Sequence, residues 1–333
     1  RQGVLQQGST FDYQGTRLTA TVTDYESQGT PTVKSSVGED GRPRVALSFA
    51  DYDLRRQGDE SPYLEGDVLD LEALASSASL VDPGDFDVVL DLEKGRVPDF
   101  AAYARALPDS SQIVLRKGSG TVDAHLELST AGRAQGPSRF RIVGENLALA
   151  YANLELTGHL DLESDFIAVD PQGMRFEVDR IDLKLEGVEL LDGDKEVTSD
   201  WSGALRFENG EMVLRTPIET STDLSVELTD ARPVLAFFAE AKKAVKRVER
   251  VLKLRDLQGK AHLELEQGRM LIDDLNLTSN DLELEGELCL GSQYRSAAIH
   301  LLAWRTFGLA PVSYTHLRAH ETASFISYAV FCL

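Results

Sequence analysis

The chain has 333 residues, with 34 Lys and Arg against 55 Asp and Glu, a formal net charge of −21, and hydrophobic and aromatic contents of 42% and 7%. That charge argues against nucleic acid as a partner, because phosphate binding needs a basic surface. Two cysteines, Cys289 and Cys332, exclude a disulfide scaffold and a Cys-rich zinc site, and no apolar run reaches the roughly 18–20 residues of a membrane-spanning helix. The length fits about two or three domains or one elongated repeat, at ~100–200 residues per domain.

Residues 1–84 read as a β-rich segment without a start Met, expected to lie inside a longer reading frame. Leu18–Thr23, Val45–Phe49, Leu64–Leu71 and Val88–Leu92 alternate weakly between apolar and polar residues, as half-buried strands do because side chains change face at every step. Pro98 to Leu107 is predicted as a short helix, opened by Pro98 and closed by Pro108. Gly118-Ser-Gly120 is predicted as a turn. Beyond it the alternation is clean. In Thr121–Leu128 it places Val122, Ala124, Leu126 and Leu128 on one face, and Asp123, His125 and Glu127 on the other. Leu154–Leu162, Phe176–Leu185 and Leu282–Leu288 read the same way, and many of the strands are expected to run only about five to eight residues. Turns are predicted at Asp170-Pro-Gln-Gly173, Asp192-Gly-Asp194 and Asn209-Gly210. Gly203–Leu214 echoes Gly259–Ile272, each read as a strand, a Gly turn and a returning strand, a spacing seen in stacked architectures.

A longer amphipathic helix is predicted over about 231–254, with Asp230 as N-cap and Pro233 in its first turn. Val234, Phe237, Phe238, Ala241, Val245, Val248 and Leu252 keep helical spacing. The other face carries Lys242, Lys243, Lys246, Arg247, Arg250, Lys253 and Arg255, with Glu249 opposing them. Such cations suit anionic headgroups or a partner, at ~1 kcal/mol each near an anionic membrane. Structurally, the apolar stripe would cover one end of the sheet.

Past Glu287 only Glu321 is acidic, and Ser296–Trp304 abandons the alternation, so 292–311 reads either as a shifted frame or as a closing helix. Residues 312–333 resemble translated sequencing adapter: Val312–Thr322 and Ile326–Leu333 match an adapter and a flow-cell primer in one frame. They are set aside from fold reasoning.

The pattern Trp201-Ser-Gly-Ala-Leu-Arg-Phe-Glu-Asn-Gly, then Asp223–Pro233 and its helix, then Leu257–Glu266 and Asn280–Leu288, resembles the AsmA-like and TamB-like proteins of Gram-negative bacteria. Val88–Phe100 has the same character, and the resemblance covers roughly 85–288 (the domain itself reads as 85–291). It implies a mainly β fold, an elongated antiparallel groove with one short and one longer amphipathic helix. It further implies a periplasmic protein held to the inner membrane by an N-terminal anchor, and conducting phospholipid acyl chains toward the outer membrane, where a partner protein is possible. On that reading the inward set contacts lipid: Val122, Leu126, Leu128, Leu154, Leu156, Leu160, Leu162, Phe176, Val178, Leu183, Leu185, Leu205, Phe207, Leu263, Leu265, Leu282 and Leu284. The alternatives are a closed β-sandwich of structural or adhesive role, with the same residues as dry core, and a scaffold for outer-membrane protein assembly. A lipid-embedded barrel is disfavoured by the low aromatic content, the short strands and the acidic outward face.

No cofactor, metal centre or catalytic set is expected. His125, His159, His262 and His300 are scattered, and solvated strand histidine is the better reading of them. Asp51-Tyr-Asp53 and Asp192-Gly-Asp-Lys-Glu196 lack the spacing of an EF-hand, so acidic hairpin loops are preferred to Ca²⁺ sites. An enzyme is not expected.

Overall fold

A computed structural model describes residues 8–303 except 23–24, 60, 78–84, 107–112, 152, 171, 215–218, 234–254, 267–268, 280–281 and 291–294. The first strands are β1 (Thr10–Gln14), β2 (Leu18–Val22), β3 (Tyr25–Val37), β4 (Pro43–Arg56), β5 (Leu64–Ala75) and β6 (Phe86–Val97). A 3-10 helix at Phe100–Ala106 precedes β7 (Ile113–Ser129), β8 (Ala134–Tyr151), β9 (Leu154–Asp170) and β10 (Arg175–Asp192). Then follow β11 (Lys195–Val213), β12 (Glu219–Asp230), β13 (Arg255–Glu266), β14 (Arg269–Ser279), β15 (Leu282–Leu290) and β16 (Arg295–Ala303). They form one sheet in which each strand from β3 onward pairs with its successor. β1 and β2 lie in turn along β3, and the path ends at β1 and β16 without closing on itself. The strands pair antiparallel, as successive hairpins require. The chain divides into two compact units, the first comprising residues 1–150 and 160–177, the second 151–159 and 178–333.

The mainly β, antiparallel fold read from the alternation is present, and the sheet is open, a point the alternation left undecided, but several details differ. The strands are long, up to 19 residues in β11, so strand length does not argue against a membrane barrel. Gly118-Ser-Gly120 is not a turn. It lies inside β7, with Gly118 at φ +133°. Asn209-Gly210 likewise lies within β11, so the first copy of the predicted strand–turn–strand echo is one continuous strand, whereas the second is the β13–β14 hairpin. The short helix is a 3-10 helix, not an α-helix. Ser296–Trp304 does not begin a closing helix, since Arg295–Ala303 is strand β16. The longer helix from Val234 onward, and its basic residues Lys242 to Lys253, lie outside the described residues. Asp230 does accept the Arg232 backbone N–H at 2.8 Å, as an N-cap side chain would.

The strands stay amphipathic over such lengths because bulges reset the alternation. Asp51, Lys94, Asn146, Asp200, Asn209, Asp256 and Asp274 have φ between 49° and 59°, a left-handed conformation that Asn and Asp tolerate best. The pairing registers shift at Gln28/Thr30 opposite Asp51, and at Leu92/Gly95, Glu208/Glu211 and Ile272/Leu275. Each bulge inserts one residue, so the inward positions step by three, as from Phe49 to Tyr52 and from Ile272 to Leu275.

In the first unit the apolar face closes over a core of Phe49, Tyr52, Leu92, Val97, Phe100, Val122, Ala124 and Leu147. The 3-10 helix contributes Phe100, whose ring lies over Gly120 and Gly144: a Cβ added there would stand 2.8 Å and 3.5 Å from its Cε2. Tyr103 packs edge-on to Tyr63 at 5.5 Å and donates its hydroxyl proton to the Tyr63 carbonyl at 3.0 Å. Gly66 and Gly95 play the same part beneath Tyr52, with its Oη 2.6 Å and 3.0 Å from where their Cβ atoms would be. Side chains of this size contribute roughly 1.5–3 kcal/mol each when fully buried.

Candidate functional site

The second unit presents the candidate surface. Leu205 faces Val226, Val226 faces Gly259, Gly259 faces Leu277 and Leu277 faces Leu284. Directly opposed residues share a face, so these form one apolar row across five strands, at about 4.8 Å per strand. Beside it Phe207 faces Leu224, which faces Ala261. On the other side of that pair, Thr222 faces Leu263, which faces Ile272 and then Leu288. Leu265 continues the face, between Thr220 and Met270. Leu183, Leu185, Leu205, Phe207, Leu263 and Leu265 are all half-buried: none is sealed, none is fully in water. Thr222, the polar member, is buried and donates its hydroxyl proton to the Glu208 carbonyl at 3.0 Å.

The predicted contact residues therefore divide. Val122 belongs to the core of the first unit, and Leu126 and Leu160 pack against it. Leu128, Leu162 and Phe176 are half-buried in the same unit, with Phe176 tilted against Phe166 at 5.6 Å. In the second unit Leu154, Leu156 and Val178 are buried. Leu282 and Leu284 are on β15, their side chains outside the described residues. Sequence reasoning passed over Leu224, Val226, Ile272, Leu275 and Leu277, although β12 carries its own signal in the alternation Leu224, Val226, Leu228. It also passed over Phe49, Tyr52 and Val97, whose alternation is broken by the bulges at Asp51 and Lys94.

Each unit carries cross-strand ion pairs on its polar face, the first two below in the first unit and the third in the second. Arg141 meets Asp161 through both Nε and Nη2, at 3.0 and 2.8 Å, Arg139 meets Asp165 at 2.8 Å, and Arg206 meets Asp182 at 2.5 Å. Those carboxylates hold the three guanidinium groups above the usual arginine value, through the hydrogen bond first and charge second. Exposed pairs of this kind contribute about 0–1 kcal/mol each. They keep this side in water and fix which face is which. Asp53 of the Asp51-Tyr-Asp53 motif is engaged by Arg55 at 2.8 Å, while Tyr52 turns into the core.

His125 in the first unit and His262 in the second stand among these pairs. His125 Nδ1 lies 2.5 Å from Asp91 Oδ1. His262 Nδ1 lies 2.9 Å from Asp223 Oδ1, and its Nε2 lies 3.2 Å from Ser221 Oγ. The His262 hydrogen bond, with a second from Asn209, holds the Asp223 carboxyl below its usual range. Ser221, His262 and Asp223 thus stand at the distances of a serine–histidine–aspartate triad. Their setting opposes that chemistry. The residues directly across the ladder from Ser221 are Glu211 and Glu264, so an oxyanion forming there would be repelled where acyl transfer requires it to be stabilised. All three side chains also face solvent, where electrostatic interactions are weakest.

Comparison with protein-family models, with curated proteins and with solved structures finds no match.

Proposed function

We propose that the half-buried apolar face of the second unit binds the acyl chains of phospholipid, as a periplasmic carrier anchored at the inner membrane and serving the outer membrane, without catalysis. The reading rests on one observation: a continuous apolar row, Leu205–Val226–Gly259–Leu277–Leu284, runs across five strands of an unclosed sheet. A dry sandwich core would hide such a row completely, yet the flanking Phe207, Leu263 and Leu265 keep part of their surface in water. Acyl chains are a chemically suitable cover, being apolar, extended and indifferent to the register of the strands. The charged opposite face accounts for solubility of the carrier between membranes.

The test is native mass spectrometry with lipid extraction on the chain expressed in a bacterial periplasm. Phospholipid is expected to co-purify and to be lost from the Leu205→Asp/Phe207→Asp double variant, with the far-UV spectrum unchanged. Lipid-free wild type with cooperative unfolding would sink the reading and favour the structural or adhesive alternative. Leu126→Asp with Leu156→Asp serves as the contrast. These residues pack against or lie in buried core, so a charge there should unfold the protein at a cost of several kcal/mol.

A further inference from the structure

The apolar face of the first unit continues past its core. Tyr13 faces Val33, Val33 faces Leu47, Leu47 faces Leu71, Leu71 faces Leu90 and Leu90 faces Leu126. Directly opposed residues share a face, so this row crosses six strands. One pleat further along, Val45, Ala73, Val88 and Leu128 form a second row, which Ser35 and Phe11 extend to the edge of the sheet. From β3 to β7 both rows are half-buried. Their flanks are sealed, by Pro31, Phe49, Leu92 and Ala124 on the core side and by Val37, Pro43 and Ala75 on the other. The two rows thus floor a furrow bounded along both sides. At β1 it runs out between Phe11 and Tyr13, which are 60% and 51% exposed.

Two leucines of this floor recur in the second unit. Ala-His-Leu-Glu-Leu occurs at 124–128 and again at 261–265. In both places the histidine turns Nδ1 to an aspartate on the neighbouring strand, and both leucines stay half-buried on the apolar face. The same five residues therefore build part of an open apolar surface in each unit.

Size and polarity decide what suits the furrow. At ~4.8 Å per strand and ~3.4 Å per residue its floor measures about 24 by 14 Å, roughly 330 Å². A stable protein–protein interface needs ~800 Å² per partner, so the floor is too small to seat a second copy of the chain. The strands β3 to β6 are hydrogen-bonded on both sides, so a peptide laid across them finds no backbone partner and buries its own polar groups unpaired. A hydrocarbon chain has no such groups. Two rows make one furrow, with room for one chain, whereas the second unit has half-buried residues in four successive rows, at Leu205, Phe207, Leu263 and Leu265.

We infer that the first unit binds a single-chain zwitterionic lipid, a lysophospholipid, with its acyl chain along the furrow and its headgroup at the Phe11–Tyr13 end. A net charge of −21 repels an anionic headgroup, and a tyrosine such as Tyr13 suits the boundary between hydrocarbon and water. This site stands on the first unit alone and goes beyond the acyl-chain reading of the second.

The test is isothermal titration calorimetry on the full chain, with palmitoyl lysophosphatidylethanolamine below its micelle concentration, and with palmitate as the same chain on a carboxylate. Ala73→Phe fills the furrow between Val45 and Val88, while Val68→Phe puts the same ring on the other face of that strand, where Val68 is exposed. Each variant is first required to match the parent in far-UV spectrum and urea midpoint; Phe11→Ser with Tyr13→Ser, at the exposed edge, replaces Ala73→Phe if that variant does not fold. Saturable lysophospholipid binding is expected, with Ala73→Phe weakening it by about tenfold or more, the equivalent of displacing roughly two methylene groups, and Val68→Phe leaving it unchanged. Equal affinities of the two phenylalanine variants, tighter binding of palmitate than of the lysophospholipid, or no saturable binding would each overturn the inference. So would a dimer of the lipid-free chain that Ala73→Phe dissociates, since a second copy would then be the cover. The titrations are repeated in the Leu205→Asp/Phe207→Asp background, which disables the second unit's face, so that the two surfaces fail or hold separately.

Discussion

Tyr52 sits in the core of the first unit at 2% exposure, and its Oη makes no hydrogen bond. A buried hydroxyl without a partner loses its hydration and gets nothing in exchange, at a cost of about 1–3 kcal/mol. Tyr52→Phe keeps the ring over Gly66 and Gly95 and removes only that cost. We therefore expect it to stabilise the protein by about 1 kcal/mol at pH 7.5, where an ordinary hydrogen-bonded tyrosine would lose ~0.5–1.5 kcal/mol. A second, independent consequence follows from ionisation. Burial, with Asp67 and Tyr103 nearby, pushes the phenol from 10.0 up to about 12. A group that ionises later in the folded state leaves stability intact below its unfolded value and loses it as pH rises through the interval between the two. At pH 11 the loss for the wild type is about 1 kcal/mol, and Phe has none. The advantage of the variant should thus grow from about 1 to roughly 2 kcal/mol between pH 7.5 and pH 11. Other alkaline titrations are common to both proteins and cancel in the difference. Urea unfolding followed by far-UV circular dichroism, with the slope against denaturant unchanged, measures it. A variant less stable than wild type by 1 kcal/mol, or a difference that does not move with pH, would refute the reasoning.

Gly120→Ala should destabilise by about 1–3 kcal/mol in the same unfolding assay, because the new Cβ would stand 2.0 Å from the Val143 carbonyl oxygen, a backbone atom with little room to yield. Asn209→Val should cost about 1–2 kcal/mol for a left-handed β-branched residue at φ +53°, whereas Asn209→Gly should cost much less; equal losses would remove the bulge as the cause. His262→Ala should change stability at pH 7 by less than about 1 kcal/mol. Its effect should vanish in acid: the Asp223 carboxyl is depressed by His262, so the stabilisation is present above the unfolded value near 3.9 and is lost as pH falls through the lower folded one. A loss that persists at pH 2 would contradict that origin.

Alternation carried most of the fold. Val122-Asp-Ala-His-Leu-Glu-Leu128 announces one strand and both its faces, because a period of two has few other physical meanings. What it hid was the length of the strands and their resets. Asn209-Gly210 has turn chemistry, and a left-handed Asn serves a bulge within a strand as well as it serves a turn. The deciding factor is long-range: Glu208 and Glu211, on either side, both pair with β12. The same ambiguity misplaced Gly118-Ser-Gly120, where the absent side chains at Gly120 and Gly144 make room for the ring of Phe100 from another element. The charged face was legible as polar but not as paired, since Arg141 and Asp161 become neighbours only through the strand register.

The bulges bear on more than bookkeeping. A strand of 18 or 19 residues with strict alternation would keep one unbroken apolar edge, while the twist of neighbouring strands carries successive rows out of alignment. One inserted residue restores the inward face at the cost of one unpaired backbone step. In the second unit the insertions at Asn209 and Asp274 lie on the strands that flank β12 and β13. Between them, Leu224, Val226 and Leu228 face Ala261, Gly259 and Leu257 without a shift of register. The apolar row of the second unit crosses this regular pair, with irregularity displaced to the strands on either side. An extended apolar ligand needs such a surface, even along its length and bounded where the rows step. Filling the row at Gly259 with valine, whose side chain would compete with Leu277 and Val226 for the same space, should therefore weaken acyl-chain retention more than the same change at Gly286, one strand beyond the hairpin.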